Sequence, residues 1–132
     1  MTTNTLDIPG IKEAGFEVSA NYDNSSLRLS FRGSAEFQVS EQLGPFLTRV
    51  HQEALRLGAR EVTADLVKLE FMNSSSFKRF VTWLNALRDV QGPSRYSIRF
   101  LSSPRVRWQK ASLMALSCFA PGLVTVETQD AT

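Results

Sequence analysis

The sequence of 132 residues contains one cysteine, Cys118, and one histidine, His51. A single cysteine cannot form an internal disulfide, so its cysteine content gives no sign of an oxidising compartment. One cysteine and one histidine also provide no cluster of transition-metal ligands. Cys118 follows an apolar run, and we predict that it is a small core residue rather than a nucleophile. We expect no metal and no cofactor.

Motifs for enzymatic chemistry are equally scarce. The chain has no Walker loop, no GxGxxG and no nucleophile elbow, and a Ser-His-Asp triad would have to use His51 as its base. Asp65 and Glu70 could act as paired carboxylates, since Asp65 lies near a predicted strand end. Nothing corroborates that pair, and the sequence predicts a protein that is not an enzyme.

Long apolar runs are absent as well. No run approaches the roughly 18–20 residues of a membrane span, and the start, MTTNTLDIPGIKEAG, has neither a basic segment nor a long apolar one. We therefore expect a cytoplasmic protein without a secretory signal. Hydrophobic residues make up 42% of the chain and charged residues 21%, which is typical of one soluble globular domain.

Positively and negatively charged residues are unevenly distributed along the chain. Residues 1–70 hold seven Lys and Arg against ten Asp and Glu, whereas residues 71–132 hold eight against three. A basic surface of this kind could meet an acidic partner or nucleic acid. The cations alternate with apolar core positions rather than cluster, and this favours solvated faces of strands and helices. We predict no nucleic-acid partner.

Period-two alternation from Phe16 to Tyr22 and again from Leu27 to Phe31 predicts a β-hairpin around a turn at residues 23–26. Helical spacing follows from Ser40 to a stop at Gly58. Pro45 either belongs to the first turn of a helix that begins near Gly44 or kinks a longer helix.

The second half of the chain alternates short strands with helices. Two further amphipathic helices and three short strands are predicted, with a loop at residues 67–73: strand Val62–Leu66, helix Phe77–Val90, strand Tyr96–Phe100, helix Val106–Phe119 and strand Leu123–Val126. The order ββαβαβαβ predicts an α/β fold in which about three amphipathic helices cover a mixed sheet of four or five strands. We predict one domain at residues 15–128, after a polar lead-in at 1–14 and before a polar tail at 129–132.

The stretch LEFMNSSSFKRF, residues 69–80, raises the main functional question. Asn and Ser are the preferred N-cap residues, so the stretch predicts a helix start. Capping does not explain Lys78 and Arg79, because cations in a first turn oppose the helix dipole. Lys78 lies four residues after Ser74 and Arg79 four after Ser75, so each could reach back to a phosphate on a serine.

The longer stretch VTADLVKLEFMNSSSFKRFVTWL resembles the central part of STAS domains, the family of bacterial anti-anti-sigma factors and sulphate-transporter tails. The strand ends in Ala64-Asp65-Leu66, the loop holds Leu69, Phe71 and Met72, and the helix opens with Asn73-Ser74-Ser75-Ser76. Two residues depart from the family pattern, since Asn73 stands in place of an aspartate and Ser76 in place of a glycine. The chain therefore resembles a divergent member of the STAS family that consists of one STAS-like domain.

The resemblance implies a bacterial regulatory protein that binds a partner through residues 71–80. The phosphoacceptor candidates are Ser74 and its neighbour Ser75. The residues predicted to face the partner are Phe71, Met72, Asn73, Ser76, Lys78 and Arg79. The implied partners are an anti-sigma-type Ser/Thr kinase, which phosphorylates the serine and releases the complex, and a PP2C-like phosphatase, which reverses the modification.

Two alternatives remain at the level of sequence. The C-terminal cations Arg95, Arg105 and Arg107 could hold an anion, which would make the domain a small-molecule sensor. The chain could instead self-associate through helix faces bearing Trp83 or Trp108. The sequence does not fix the oligomeric state.

Overall fold

The computed structural model describes residues 6–129, apart from the side chain of residue 37. Six strands form one sheet in the order β1-β2-β3-β4-β5-β6. The strands are β1 Ile11–Glu13, β2 Phe16–Asp23, β3 Ser26–Ala35, β4 Glu61–Met72, β5 Ser97–Ser102 and β6 Val124–Thr128. The helices are α1 Phe37–Leu57, α2 Ser74–Asp89 and α3 Arg107–Phe119, with a short 3₁₀ turn at Gly92–Ser94.

The sheet is mixed, as predicted. Strands β1 to β3 pair antiparallel, and β3 to β6 pair parallel. Each parallel pair is joined by one helix, and all three crossovers advance in the same direction across the sheet. Because such crossovers are right-handed, the three helices cover one face.

The strand count is higher than the four or five predicted, because β1 lies inside the expected polar lead-in. Ile11 of β1 is buried, and Leu6 and Ile8 before it pack against the core. The expected lead-in at 1–14 therefore contributes a strand, although residues 1–5 lie outside the described part. Of the expected tail, 130–132 lie outside it too, and the Gln129 N–H donates to the Ser102 carbonyl at 2.7 Å.

The first helix begins earlier than its sequence suggested. Helix α1 starts at Phe37, so Pro45 lies in its interior and not in its first turn. The predicted stop is confirmed. Gly58 adopts a left-handed conformation with φ 68°. The N–H groups of Gly58 and Ala59 then donate to the carbonyls of Leu55 and Ala54, a Schellman ending.

Strand β4 is the main difference from prediction, because residues 67–72 continue the strand instead of forming a loop. Its pairing with β3 shifts register twice, between Ser30 and Arg32 and between Gly33 and Ser34 of β3. The burial of Leu66, Leu69 and Met72 at steps of three follows from these irregularities. Period-two alternation therefore fails after Leu66, which is why the sequence predicted a loop there.

The face of the sheet without helices is open to solvent and carries ion pairs. Arg28 meets Asp65 at 2.7 Å, and Arg99 meets Glu61 at 3.0 Å and Glu127 at 3.4 Å. Part of the basic excess in the second half of the chain is thus matched by acids on neighbouring strands. Asp65 is committed to this ion pair and to the Val67 N–H, so the structure gives no support to a catalytic pairing with Glu70.

Candidate functional site

The end of β4 and the start of α2 form the candidate site, and a buried glutamine holds the strand end in place. Gln109 of α3 is fully buried. Its Nε2 donates to the carbonyl oxygens of Leu66 at 2.6 Å and Leu69 at 2.8 Å, and its Oε1 accepts from the Ser103 N–H at 2.8 Å. The pairing of β4 with β5 ends at Asp65 and Leu101, and one amide provides hydrogen-bond partners for two carbonyls beyond that point and for the Ser103 N–H.

Phe71 and Met72 leave the strand on opposite sides. Phe71 is 47% exposed, whereas Met72 is 9% exposed and belongs to the core. Trp108 lies close by, since its Nε1 donates to the Glu70 carbonyl at 2.9 Å. Of the two residues predicted to face a partner from this segment, only Phe71 is available at the surface.

Asn73 caps α2, which confirms the predicted helix start. Its backbone is extended, and its side-chain oxygen accepts from the Ser76 N–H at 2.8 Å. Its own N–H donates to the Ala35 carbonyl at the end of β3, 2.9 Å away. The first helical bond runs from the Phe77 N–H to the Asn73 carbonyl at 3.0 Å. The cap therefore fixes the first turn of α2 against the sheet.

The three serines have different environments. Ser74 is exposed, Ser75 is half-buried and Ser76 is fully buried. Within residues 6–129, the Ser76 Oγ has no hydrogen-bond partner. Ser76 cannot contact a partner in this conformation, contrary to its predicted place on the partner-binding surface. Of the two phosphoacceptor candidates, Ser74 is the more accessible.

The two cations that follow the serine run also differ. Because α2 begins at Ser74, Lys78 and Arg79 are its fifth and sixth residues and lie in its second turn. Lys78 is exposed. Arg79 crosses to α1, where its Nε donates to the Ser40 carbonyl at 3.0 Å. A Cβ on Gly44 would lie 3.3 Å from the Arg79 Nη1, so glycine leaves room for the guanidinium. Arg79 therefore braces α2 against α1, and this accounts for a cation near the start of the helix without any phosphate.

A shallow depression next to the cap brings Ser75, Lys78, Arg79 and Thr82 together with Ser40 and Glu41 of α1; its volume is about 440 Å³. The spacing predicted that Arg79 could reach Ser75 and that Lys78 could reach Ser74; the depression brings Arg79 and Ser75 together, and Lys78 lines it beside Ser75. Ser74, which is not among the lining residues, lies on the outer side of the same turn.

A hydrogen-bonded chain lies beneath the α1–α2 contact. The Trp83 Nε1 donates to the Tyr96 hydroxyl at 2.8 Å, and that hydroxyl is 2.7 Å from the His51 Nδ1. The direction of the Tyr96–His51 hydrogen bond depends on which ring nitrogen carries the proton, because the phenolic oxygen can accept from Trp83 and either donate to the imidazole or accept from it. Burial lowers the pKa of His51 and raises the pKa of Tyr96.

Several other predictions are corrected by burial. Cys118 is exposed and not a core residue, because the buried positions of α3 are Gln109, Leu113 and Leu116. Trp83 is 3% exposed, so it cannot form a self-association face.

Among residues 6–129, no group of three His, Cys, Asp or Glu could hold a metal ion. No helix in that range is long and apolar enough to cross a membrane.

Sequence reasoning missed Gln109, the Arg79–Ser40 contact and the His51–Tyr96–Trp83 chain. Each joins residues 13 to 45 positions apart. Only a weak signal was present for the first, since Gln109 is a polar residue at a helical spacing of four and seven from the apolar residues Leu113 and Leu116.

Two solved structures have a similar fold. An anti-sigma factor antagonist from Mycobacterium paratuberculosis superposes with a TM-score of 0.61 at 12% identity, covering 85% of each chain. The anti-sigma factor antagonist SpoIIAA, in its unphosphorylated form, superposes with a TM-score of 0.53 at 17% identity, covering 87% of this chain and 89% of its own. Neither models of known protein families nor curated protein sequences match the chain. The predicted resemblance to the STAS fold is therefore confirmed at the level of the fold.

Proposed function

We propose that this protein is a non-catalytic bacterial regulator that binds a partner protein through Phe71 and the first turn of α2, and that phosphorylation of Ser74 releases the partner. The observation that carries the proposal is the exposure of Phe71 and Ser74 on either side of the Asn73 cap. A large exposed apolar side chain beside an accessible hydroxyl is a suitable centre for a switchable interface.

The partner surface consists of Phe71, Asn73, Ser74, Ser75 and Lys78. Met72 and Ser76 support it from below, and Arg79 fixes its angle to α1. Phe71 would provide the apolar anchor, while the half-exposed and exposed polar groups form the rim. The neighbours named as anti-sigma factor antagonists support an anti-sigma-type Ser/Thr kinase as the partner.

A phosphate on Ser74 would add about −1.5 to −2 charges at the first residue of α2. The helix dipole and Lys78, four residues further along, both stabilise a negative charge there. The domain would therefore keep its fold while its surface becomes anionic. A close interface centred on Phe71 would then lose affinity through desolvation and repulsion, and a PP2C-like phosphatase in the same cytoplasm would restore it.

The experiment uses purified candidate anti-sigma-type kinases with ATP, and measures both phosphorylation and affinity. We expect phosphate at Ser74, shown by mass spectrometry and absent from Ser74→Ala. We expect Phe71→Asp and Ser74→Glu to weaken binding at least about 100-fold, the scale of an interface hot spot. Met114→Asp is the matched control for Phe71→Asp, because Met114 is 51% exposed on α3.

The proposal fails if no tested kinase both phosphorylates residues 74–76 and binds in a manner sensitive to Phe71. Binding that tolerates Phe71→Asp but is lost in Met114→Asp would place the interface on α3. Phosphate confined to Ser75 would show that the half-buried serine beside Arg79 is the acceptor and would exclude Ser74.

A further inference from the structure

A groove with a volume of about 540 Å³ lies between α1 and α2. It lies over the His51–Tyr96–Trp83 chain and does not include Phe71 or Ser74. Its size falls within the range of small-molecule sites, about 300–1,000 Å³. The residues that matter for its chemistry are Arg49, His51, Arg79 and Trp83.

Small residues open the groove. Gly44 of α1 and Ala86 of α2 both line it, and neither residue extends a long side chain of its own into the space between the helices. Gly44 is also the point at which Arg79 crosses from α2 to α1. The opening therefore belongs to the packing of two long helices and does not depend on a loop.

Trp83 forms part of a rigid floor of the groove. The residue is 3% exposed, and its Nε1 is fixed by the bond to Tyr96. The ring also contacts Phe80 and Phe100, with centroids 6.2 and 6.5 Å away. Trp83 therefore contributes an edge of the floor and not an open ring face, and a floor held by packing and a hydrogen bond needs no rearrangement to receive an apolar group.

The charged residues that line the groove are cations. Arg49 and Arg79 line it together with the neutral His51, and none of the described lining residues is acidic. The Arg79 guanidinium is held in place through its Nε. Arg49 makes a long contact of 3.6 Å with Asp7, and both side chains are well exposed. Such a pair is weak, so a carboxylate in the groove could replace Asp7.

We propose that this groove binds a small planar organic anion of the aromatic carboxylate class, with its ring over the floor that includes Trp83 and its carboxylate attracted by the lining cations Arg49 and Arg79. Guanidinium groups match the planar geometry of a carboxylate, and a ring fits the apolar part of the lining. The site differs from the cations Arg95, Arg105 and Arg107, none of which lines the groove.

A ligand in the groove would also affect the start of α2. Arg79 and Thr82 line both the groove and the depression that contains Ser75 and Lys78. A carboxylate bound to Arg79 would draw on the same guanidinium that orients the first turn of α2. This coupling rests on the proposed partner switch, whereas binding to the groove does not.

The probe is naphthalene-2-carboxylate, with its neutral carboxamide as the charge control. Binding is followed by NMR on the indole N–H signals of the full chain, which has two tryptophans. We expect the Trp83 signal to shift in a saturable manner and the Trp108 signal to stay in place. A dissociation constant of about 1 mM or tighter is expected for a probe of this size.

Substitution of single arginines distinguishes binding in the groove from binding to other cations of the chain. We expect Arg49→Gln and Arg79→Gln each to weaken the carboxylate at least about fivefold, and the carboxamide to bind at least about tenfold more weakly, as loss of a charge-assisted contact predicts. Arg105→Gln is the matched control and should bind as the parent does. Since Arg79 also braces two helices, Arg49→Gln carries the test if Arg79→Gln is unfolded.

Lack of saturation at about 5 mM, several times the expected constant, would overturn the proposal. Equal binding of the carboxamide would overturn its anionic part. Loss of binding in Arg105→Gln but not in Arg49→Gln would move the site to the C-terminal cations. These measurements need no partner protein, so their outcome is independent of the kinase experiment.

Discussion

The Arg79 guanidinium donates from Nε to the carbonyl oxygen of Ser40, 3.0 Å away, and thereby links the N-terminal part of α2 to α1. The contact explains a cation near the N-terminal end of a helix, at its sixth residue. The cost of opposing the dipole there is at most a few tenths of a kcal/mol, because the effect falls off within the first turn, and a charged donor to a backbone carbonyl contributes more than that. Lys78 has no such contact among the described residues, so it is the cation near the helix start that remains free to meet a phosphate.

The first prediction compares these two cations. We expect Arg79→Gln to lower the free energy of unfolding by about 1 kcal/mol or more, because it removes the hydrogen bond to Ser40 and the packing of the long side chain. Lys78→Gln, an exposed change in the same turn, should stay within about 0.5 kcal/mol of the parent. Urea denaturation measures both, and an equal effect of the two substitutions would contradict the bracing role.

The second prediction concerns Gln109, which satisfies three buried backbone groups. Gln109→Leu keeps the approximate volume but leaves Leu66 O, Leu69 O and Ser103 N without that partner. We expect a loss of at least about 3 kcal/mol, since each unsatisfied buried group costs about 1–3 kcal/mol. Exposed Gln91 provides the matched control, and Gln91→Leu should change stability little. A loss below about 1 kcal/mol for Gln109→Leu would show that the amide is dispensable.

The third prediction concerns the helix cap. Asn73→Ala should destabilise the protein by about 1 kcal/mol, because the Ser76 N–H loses its acceptor. Asn73→Asp keeps an acceptor and adds a negative charge that the helix dipole favours, so stability should be unchanged or slightly higher. Thermal unfolding of the three proteins gives the comparison. Equal stability of Asn73→Ala and the parent would mean that the cap contributes nothing.

The same Asp variant tests the departure from the STAS pattern. If the proposed kinase exists, Asn73→Asp restores the family's acid next to Ser74, and we expect a higher initial rate of phosphorylation than in the parent. The parallel stability measurement shows whether any rate change comes from the fold. An unchanged rate would show that the acid is not a recognition element for this kinase.

The fourth prediction is a pH dependence that arises from His51, the chain's only histidine. Burial lowers its folded pKa below the ordinary value of 6.5. The unfolded chain then binds more protons between those two pKa values, so stability decreases as the pH falls from about 6.5 toward the folded pKa.

The matched variant is His51→Gln, which does not titrate in this range and can still accept a hydrogen bond. We expect its stability to change less than that of the parent between about pH 6.5 and pH 5, where few other groups titrate. Urea midpoints at several pH values provide the measurement. Parallel pH curves for the two proteins would rule out His51 as the cause.

Three local features of the fold were predictable because each depends on adjacent residues. The Asn73 cap and the left-handed Gly58 follow from the intrinsic preferences of those residues. The hairpin of β2 and β3 follows in the same way from alternation and turn residues. Which side chains of α3 are buried could not be predicted from adjacent residues. Its apolar residues lie on more than one face, and only contact with the sheet selects Leu113 and Leu116 over Cys118.

The sequence by itself determined the order of strands and helices from β2 onward, the start of α2 and the serine run that begins it, because periodicity and capping are local. Tertiary structure alone decided that Ser74 is exposed while Ser76 is buried, that Arg79 binds α1, and that β4 continues to Met72. The physical reason is that each of these outcomes depends on a neighbour distant in sequence. Ser40 lies 39 residues from Arg79, and Gln109 lies 40 residues from Leu69.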